Sequence, residues 1–512
     1  MAYNGFAIDE YLDAVQVTKD LDELIKKPIY SINKEALKHY EEDYFEKKCA
    51  KSKEMITRAK ETIPGGVQHN LAFNYPFPLV ITKAEGAKLY DLDGNEYFDL
   101  LQAGGPTILG SNDKVVREKV IELLNTCGPS TGLFHEYELK LAEKIKECVP
   151  SVEKFRMLGS GTEACMCALR IARLKTGHKN VLKMGGAYHG WSDQMAYGMR
   201  VPGTKNIKSG GVPMFVFKHT DEFFPGDLKA LERKLRRNRL RGGTAAVYIE
   251  PIGPESGTRP VTKEFVQGCE RLAHKYGALL VCDEVVSGFR IGLGGAQAYY
   301  GINPDLTIFG KIIAGGYPGA GGVGGHADCM AHLGAGLDVQ DPNAAKGKKA
   351  KKAKKIKKAM CGGTMAATPI SCVAGYYAIC EIQKRNACEV AGRMGDRLTK
   401  GLQALIKKYN LPFVAFNIGS VCHLDSVGTM HFSINWKKLW TIPHVLKETT
   451  KRQREMEHMG AAYMAEGIVT LAGSRLYTSA AYTEEMIDEV LERFERVFKN
   501  CECIEPELLE KK

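Results

Sequence analysis

A chain of 512 residues that is 44% hydrophobic and 26% charged can bury a large core and divide into more than one domain, which excludes a disordered or fibrous protein. Its formal net charge of +11 hints at a polyanion partner, yet nine lysines lie between Lys346 and Lys358 with no acid among them, and the rest of the chain carries only +2. No apolar run reaches spanning length, and the fifteen cysteines lack paired zinc-ligand spacing, so neither a membrane span, a metal site nor a disulfide scaffold is expected, and a reducing cytoplasm fits best.

The opening residues hold acids at Asp9, Glu10 and Asp13 and no basic-then-apolar pattern, so no secretory signal is expected. Residues 8–62 have helical spacing, densest in Lys, Glu and Ala over 35–61, and Pro64-Gly65-Gly66 stops it. Leu79-Val80-Ile81, residues 87–91 and residues 96–99 read as strands, the last two joined by a hairpin at Asp93-Gly94. Residues 1–100 therefore form a helical and hairpin segment. Helical stretches such as 163–175 then alternate with apolar strands at 180–183, 214–217, 245–250, 279–282 and 306–309. That alternation predicts an α/β protein with a mostly parallel central sheet flanked by helices, over residues 101–375. The lysine-rich stretch at about 340–360 reads as an insertion in this large domain, and no aromatic residue interrupts it to stack on bases, which argues against nucleic acid. Residues 376–512 read as a smaller α+β domain ending in an amphipathic helix over 484–498.

The chemistry concentrates at strand ends. Ala278-Leu279-Leu280-Val281-Cys282 runs into Asp283-Glu284, and Leu306-Thr307-Ile308-Phe309-Gly310 runs into Lys311. A carboxylate and a lysine ending successive buried strands are what a pyridoxal phosphate enzyme needs: the amine takes the aldehyde as an imine, and the carboxylate keeps the pyridine nitrogen protonated. Gly159-Ser160-Gly161-Thr162 follows a strand-like segment and opens a helix, so its backbone N–H groups can approach a phosphate. Read alone, that turn is equally an ordinary capped strand–helix junction. Tyr188 can stack on a flat ring or pack in the core, and His189 reads as a hydrogen-bonded structural histidine.

Taken in order, Ser160-Gly161-Thr162-Glu163-Ala164, Tyr188-His189-Gly190, Glu250-Pro251, Asp283 to Arg290, Pro304 to Lys311 and Gly363-Thr364 resemble the class III aminotransferases, pyridoxal phosphate enzymes of fold type I, and in particular their glutamate-1-semialdehyde 2,1-aminomutase-like branch. The resemblance runs from about Ile63 to Val497. It implies that Lys311 carries the cofactor and shuttles protons, that Asp283 pairs with the pyridinium, and that Val285 and Tyr188 lie on the two ring faces. It further implies that Gly161 and Thr162 hold the phosphate, and that Thr364 reaches the phosphate of a neighbouring subunit, which makes a homodimer the minimal active unit.

Three departures bear on substrate. Where the aminomutase has a substrate-gripping arginine, this chain has Leu71-Ala72-Phe73, and Gly104 stands in place of its tryptophan, so a roomier pocket is expected. Glu250 to Glu255 resembles the ornithine and 4-aminobutyrate aminotransferase segment whose second glutamate gates an arginine, and the segment Ser474 to Tyr477 resembles the one supplying that arginine. The resemblance thus implies a Glu255–Arg475 switch between amine and carboxylate substrates. Val286 stands where the related enzymes carry a glutamine. The expected activity is transfer of an amino group from a β- or ω-amino acid to an oxo acid such as 2-oxoglutarate, in ping-pong fashion, with an intramolecular aminomutase or a racemase as the alternatives.

Overall fold

The computed structural model describes residues 12–207, 209–253, 259–334, 356–434, 436 and 438–505. At its centre is a seven-stranded sheet in the order Lys154–Leu158, Gly321–Gly325, Leu306–Gly310, Leu279–Asp283, Thr244–Ile249, Asn180–Met184, Thr220–Phe223. Five neighbouring strands, from Leu306–Gly310 to the Thr220–Phe223 edge, are mutually parallel, and only Gly321–Gly325 runs against its neighbours. The sheet interior reads as unbroken apolar runs because helices cover both faces: every residue of Thr244–Ile249, Leu279–Asp283 and Leu306–Gly310 is buried. Parallel strands share one direction, so their C-terminal ends meet at a single edge, where open α/β sheets bind ligands. Ile308 is the register partner of Asp283, which places Lys311 just beyond the same edge.

One strand was misread from sequence. The apolar run 214–217 is not a strand but lies in the 3-10 helix Met214–His219, and the strand follows at Thr220–Phe223. Pro213 precedes that turn, and Met214 and Phe215 are 65% and 77% exposed, so their apolar character answers no sheet interior. The true strand is polar because it forms the sheet edge, and its buried Glu222 accepts hydrogen bonds from the backbone N–H of Gly203 (2.9 Å) and Lys205 (2.9 Å).

The N-terminal and C-terminal portions are packed as one lobe. The hairpin strands Ile81–Glu85, Lys88–Asp91 and Glu96–Asp99 continue into Ile468–Val469, and Tyr30–Ile32 pairs antiparallel with Cys501–Cys503. A shared core joins Ile32, Tyr40 and Phe98 to Leu398, Tyr463 and Phe494. The expected closing helix is present at Glu484–Phe498, with Ile487, Val490, Phe494 and Val497 on its buried stripe. Arg290 clamps this lobe to the large sheet: fully buried, it donates to the Gly105 carbonyl (2.7 Å), the Thr478 carbonyl (2.9 Å) and the Ser420 hydroxyl (3.0 Å). No helix among the described residues is long and apolar enough to cross a membrane.

Candidate active site

Asp283 is buried at the end of its strand, and its Oδ2 accepts from His189 Nδ1 at 2.7 Å. Its Oδ1 accepts from the backbone N–H of Val285 at 3.0 Å, and the Cys165 thiol lies 3.8 Å from Oδ2. Burial pushes the His189 imidazole below its ordinary pKa, against the opposing pull of Asp283. A neutral imidazole donating from Nδ1 leaves Nε2 as an acceptor, and this buried atom has no partner among the described residues. His189 is thus the hydrogen-bonded histidine expected, but the group it serves is Asp283. Glu284, next along, is structural: its carboxylate accepts from the backbone N–H groups of Ala296 (2.9 Å) and Gln297 (2.8 Å) and from the Ser287 hydroxyl.

Lys311 opens the one-turn helix Lys311–Ala314 with φ of 51°, a left-handed conformation uncommon for a non-glycine residue. Its neighbours are drawn in by glycines. A Cβ at Gly105 would lie 3.6 Å from Lys311 Cδ and 3.8 Å from the Tyr477 ring, so Lys311 and Tyr477 flank that glycine. Val285 is pinned between two others: a Cβ at Gly161 would sit 3.1 Å from its Cγ2, and one at Gly310 would sit 2.9 Å from its Cγ1. Gly161 begins the helix Gly161–Thr176, capped by the Ser160 hydroxyl accepting from Glu163 N–H at 3.2 Å. Gly190 approaches Thr162 so closely that any side chain there would overlap its hydroxyl. The fold therefore gathers Asp283, Val285, Gly161, Thr162, His189 and Lys311 at one sheet edge. Tyr188 belongs to the same loop as His189. Its ring is 42% exposed, and its N–H donates to Glu250 Oε2 at 3.1 Å.

The sequence reading passed over Lys183. It is fully buried in the strand Asn180–Met184, and its Nζ donates to the carbonyls of Ala187 (3.1 Å) and Met195 (2.9 Å), bracketing the loop that carries Tyr188 and His189. Burial pushes its pKa down to about 8, with Glu222, Glu250 and Asp283 among the acids that oppose the shift. The available signal was a lone cation inside an otherwise apolar strand.

Of the substrate-side residues, Arg475 begins the strand Arg475–Tyr477 and lines a cavity of about 580 Å³ with Asn70, Asn74 and Arg200. It is 8% exposed, and its Nε has no hydrogen-bond partner among the described residues. Burial, with the Arg475 charge beside it, drives His423 on the adjacent strand down to about 3. Glu255, the other half of the expected switch, lies outside the described residues, as does the lysine run up to Lys355. At Gly104 a Cβ would meet Leu71 Cδ1 at 3.0 Å, so Leu71 packs against this glycine. Val286 is buried in the core and brings no hydrogen-bonding group. Thr364 is exposed and shares a cavity of about 720 Å³ with Leu133, Phe134 and Pro369.

These residues suit a phosphorylated pyridine aldehyde. A capped helix N-terminus with close-set glycines offers donors to a phosphate, a carboxylate braced by a histidine offers a partner for a ring N–H, and a lysine stands at the same edge. A family model described as aminotransferase class-III matches residues 71–498. An omega-transaminase from Sphaerobacter thermophilus superposes with a TM-score of 0.76 at 26% identity, covering 89% of this chain and 99% of that one. A beta-phenylalanine aminotransferase from Variovorax paradoxus gives 0.74 at 23% identity, covering 91% and 97%. A glutamate-1-semialdehyde-aminomutase from Pseudomonas aeruginosa PAO1 gives 0.73 at 19% identity, covering 94% and 98%.

Proposed function

The chain belongs to the class-III aminotransferase family and uses pyridoxal phosphate, and on that premise we propose that it moves an amino group from a β- or ω-amino acid to an oxo acid such as 2-oxoglutarate by a ping-pong cycle. The observation that carries this reading is the buried Arg475, whose Nε lacks a partner among the described residues and which lines a cavity of its own. Arg475 and Tyr477 lie two residues apart on one strand, so their side chains leave the same face about 7 Å apart. Tyr477 and Lys311 both lie beside Gly105. A substrate carboxylate held at Arg475, with the amine reacting at Lys311 beyond Tyr477, favours an amine remote from the carboxylate.

Bound pyridoxal phosphate supplies the electron sink for the carbanion left by proton removal. Gly161 and Thr162 would hold its phosphate, and Tyr188 and Val285 would pack against its ring. Asp283, oriented by His189, holds the proton on the ring nitrogen. Lys311 Nζ, at the same sheet edge, would hold and move the proton exchanged at the substrate carbon. Arg475 selects carboxylates by paired, charge-assisted hydrogen bonds, with Glu255 as its counter-ion when the substrate lacks one. We place the enzyme in a reducing cytoplasm, which fits its fifteen unpaired cysteines, as a homodimer in which the exposed Thr364 serves the partner subunit's phosphate.

The test is a single turnover. A productive donor added without oxo acid is expected to leave the cofactor stalled in its amine form, one equivalent per site. Release of an isomer of that donor would instead establish the aminomutase or racemase reading. Arg475→Ala is expected to lose about 10²-fold in the oxo-acid half-reaction, the scale of a lost charged hydrogen-bond pair, with a far smaller loss in the half-reaction of an amine without a carboxylate. Stopped-flow spectra of the two half-reactions separate these effects, and equal losses would reject the arginine's role.

A further inference from the structure

A pair of thiols lies outside the machinery described so far. Cys167 sits in the second turn of the helix Gly161–Thr176 and is buried. Cys361 lies on the segment leading to Gly363 and Thr364 and is half-buried. The Cys167 thiol donates to Cys361 Sγ across 3.1 Å, closer than two sulfurs in ordinary contact. The remaining thirteen cysteines form no such sulfur pair among the described residues.

The surroundings favour reactivity at one sulfur of the two. The Cys167 hydrogen bond, helped by the cations Arg156, Arg170 and Lys358, pulls the Cys361 thiol down to about 6. Cys167 is pushed the other way, by that same bond and by burial. The asymmetry gives an attacking thiolate on the accessible side and a protonated resolving thiol behind it. Arg170 also donates to the Met360 carbonyl, which holds the segment against the helix.

We propose that Cys167 and Cys361 form a reversible disulfide when the enzyme meets a hydroperoxide, tethering the Thr364 segment to the helix whose first turn contains Gly161 and Thr162. The Cys361 thiolate attacks the peroxide's outer oxygen, the O–O bond breaks, and the alkoxide or hydroxide leaves with a proton from solvent, giving a sulfenic acid. Cys167 sulfur then attacks the Cys361 sulfur. The S–O bond breaks, and hydroxide departs as water with the Cys167 proton. Two thiols lose two electrons, and one hydroperoxide becomes alcohol and water, or two waters from hydrogen peroxide. A cellular dithiol reverses the bond by exchange.

The experiment uses the wild-type holoenzyme with hydrogen peroxide at neutral pH, followed by alkylation of remaining thiols and a non-reducing peptide map. Met360, which is 74% exposed and adjacent to Cys361, serves as an internal dosimeter through its sulfoxide. The expected result is a cross-linked peptide joining Cys167 and Cys361 in most molecules before Met360 is half oxidised, lost on adding dithiothreitol and absent from Cys361→Ala. Recovery of the two cysteines in separate peptides once Met360 is oxidised, whether alkylated, untouched or over-oxidised, overturns the proposal. Because wild type alone decides the outcome, a variant that folds poorly does not blunt it.

Discussion

Lys311→Ala is expected to reduce turnover by at least about 10³-fold, within the range that a positioned proton-transfer group commands and equivalent to about 4 kcal/mol of barrier. The loss should fall on chemistry and leave cofactor capture largely intact. Lys311 holds a left-handed backbone conformation at the end of Leu306–Gly310, while the proposed phosphate donors belong to a different element, the helix Gly161–Thr176. Alanine accepts φ of 51° no better than lysine, so the strain is common to both and the fold should persist. Two measurements check this. Borohydride reduction should fix pyridoxal phosphate covalently to wild type and not to the variant. Equilibrium dialysis should still find cofactor on the variant, held without a covalent bond. A Lys311→Ala enzyme with turnover within tenfold of wild type would place the proton carrier elsewhere.

Asp283→Ala is expected to cost about 10²–10³-fold in turnover, the scale of one preorganised electrostatic group removed from a dry site. It should also weaken cofactor binding, because the ring N–H loses its partner. The substitution leaves debris: His189 Nδ1 and the Val285 N–H both lose their acceptor, at about 1–3 kcal/mol for each buried group left unpaired. A fall in melting temperature therefore accompanies the fall in rate. Asp283→Asn separates the two effects, since an amide oxygen can still accept from His189 while the negative charge is gone. If Asp283→Asn melts near wild type and is as slow as Asp283→Ala, the charge matters to the chemistry. If it recovers wild-type rate, Asp283 is a structural residue and the assignment of the ring partner fails.

How legible this site was depends on where each residue's reason lies. Asp283 and Lys311 declared themselves because both end short apolar runs, and the ends of parallel strands converge whatever the loops do. Gly161 and Thr162 were legible for a similar local reason, a strand followed by a capped helix. Lys183 and Arg290 were less so: a lone cation in an apolar strand flags Lys183 without stating what it holds, and the partners of Arg290 are far away in sequence. The carbonyls that Lys183 holds are reached by a loop folding back, and the groups that Arg290 holds lie on distant segments, at Gly105, Ser420 and Thr478. The apolar run before His219 misled because it was taken as a sheet strand, whereas it forms a 3-10 turn that exposes Met214 and Phe215 and buries Phe217.

The pairing of Tyr30–Ile32 with Cys501–Cys503, and of Glu96–Asp99 with Ile468–Val469, has a bearing on biosynthesis. A ribosome delivers the first hundred residues long before the strands that complete their sheets exist. Early helices and the hairpin must wait, with apolar faces uncovered, while the large sheet assembles between them. Their sheets close only after the final segment has emerged, so nascent chains stalled short of that point present unpaired edges and are the forms most in need of chaperone shelter.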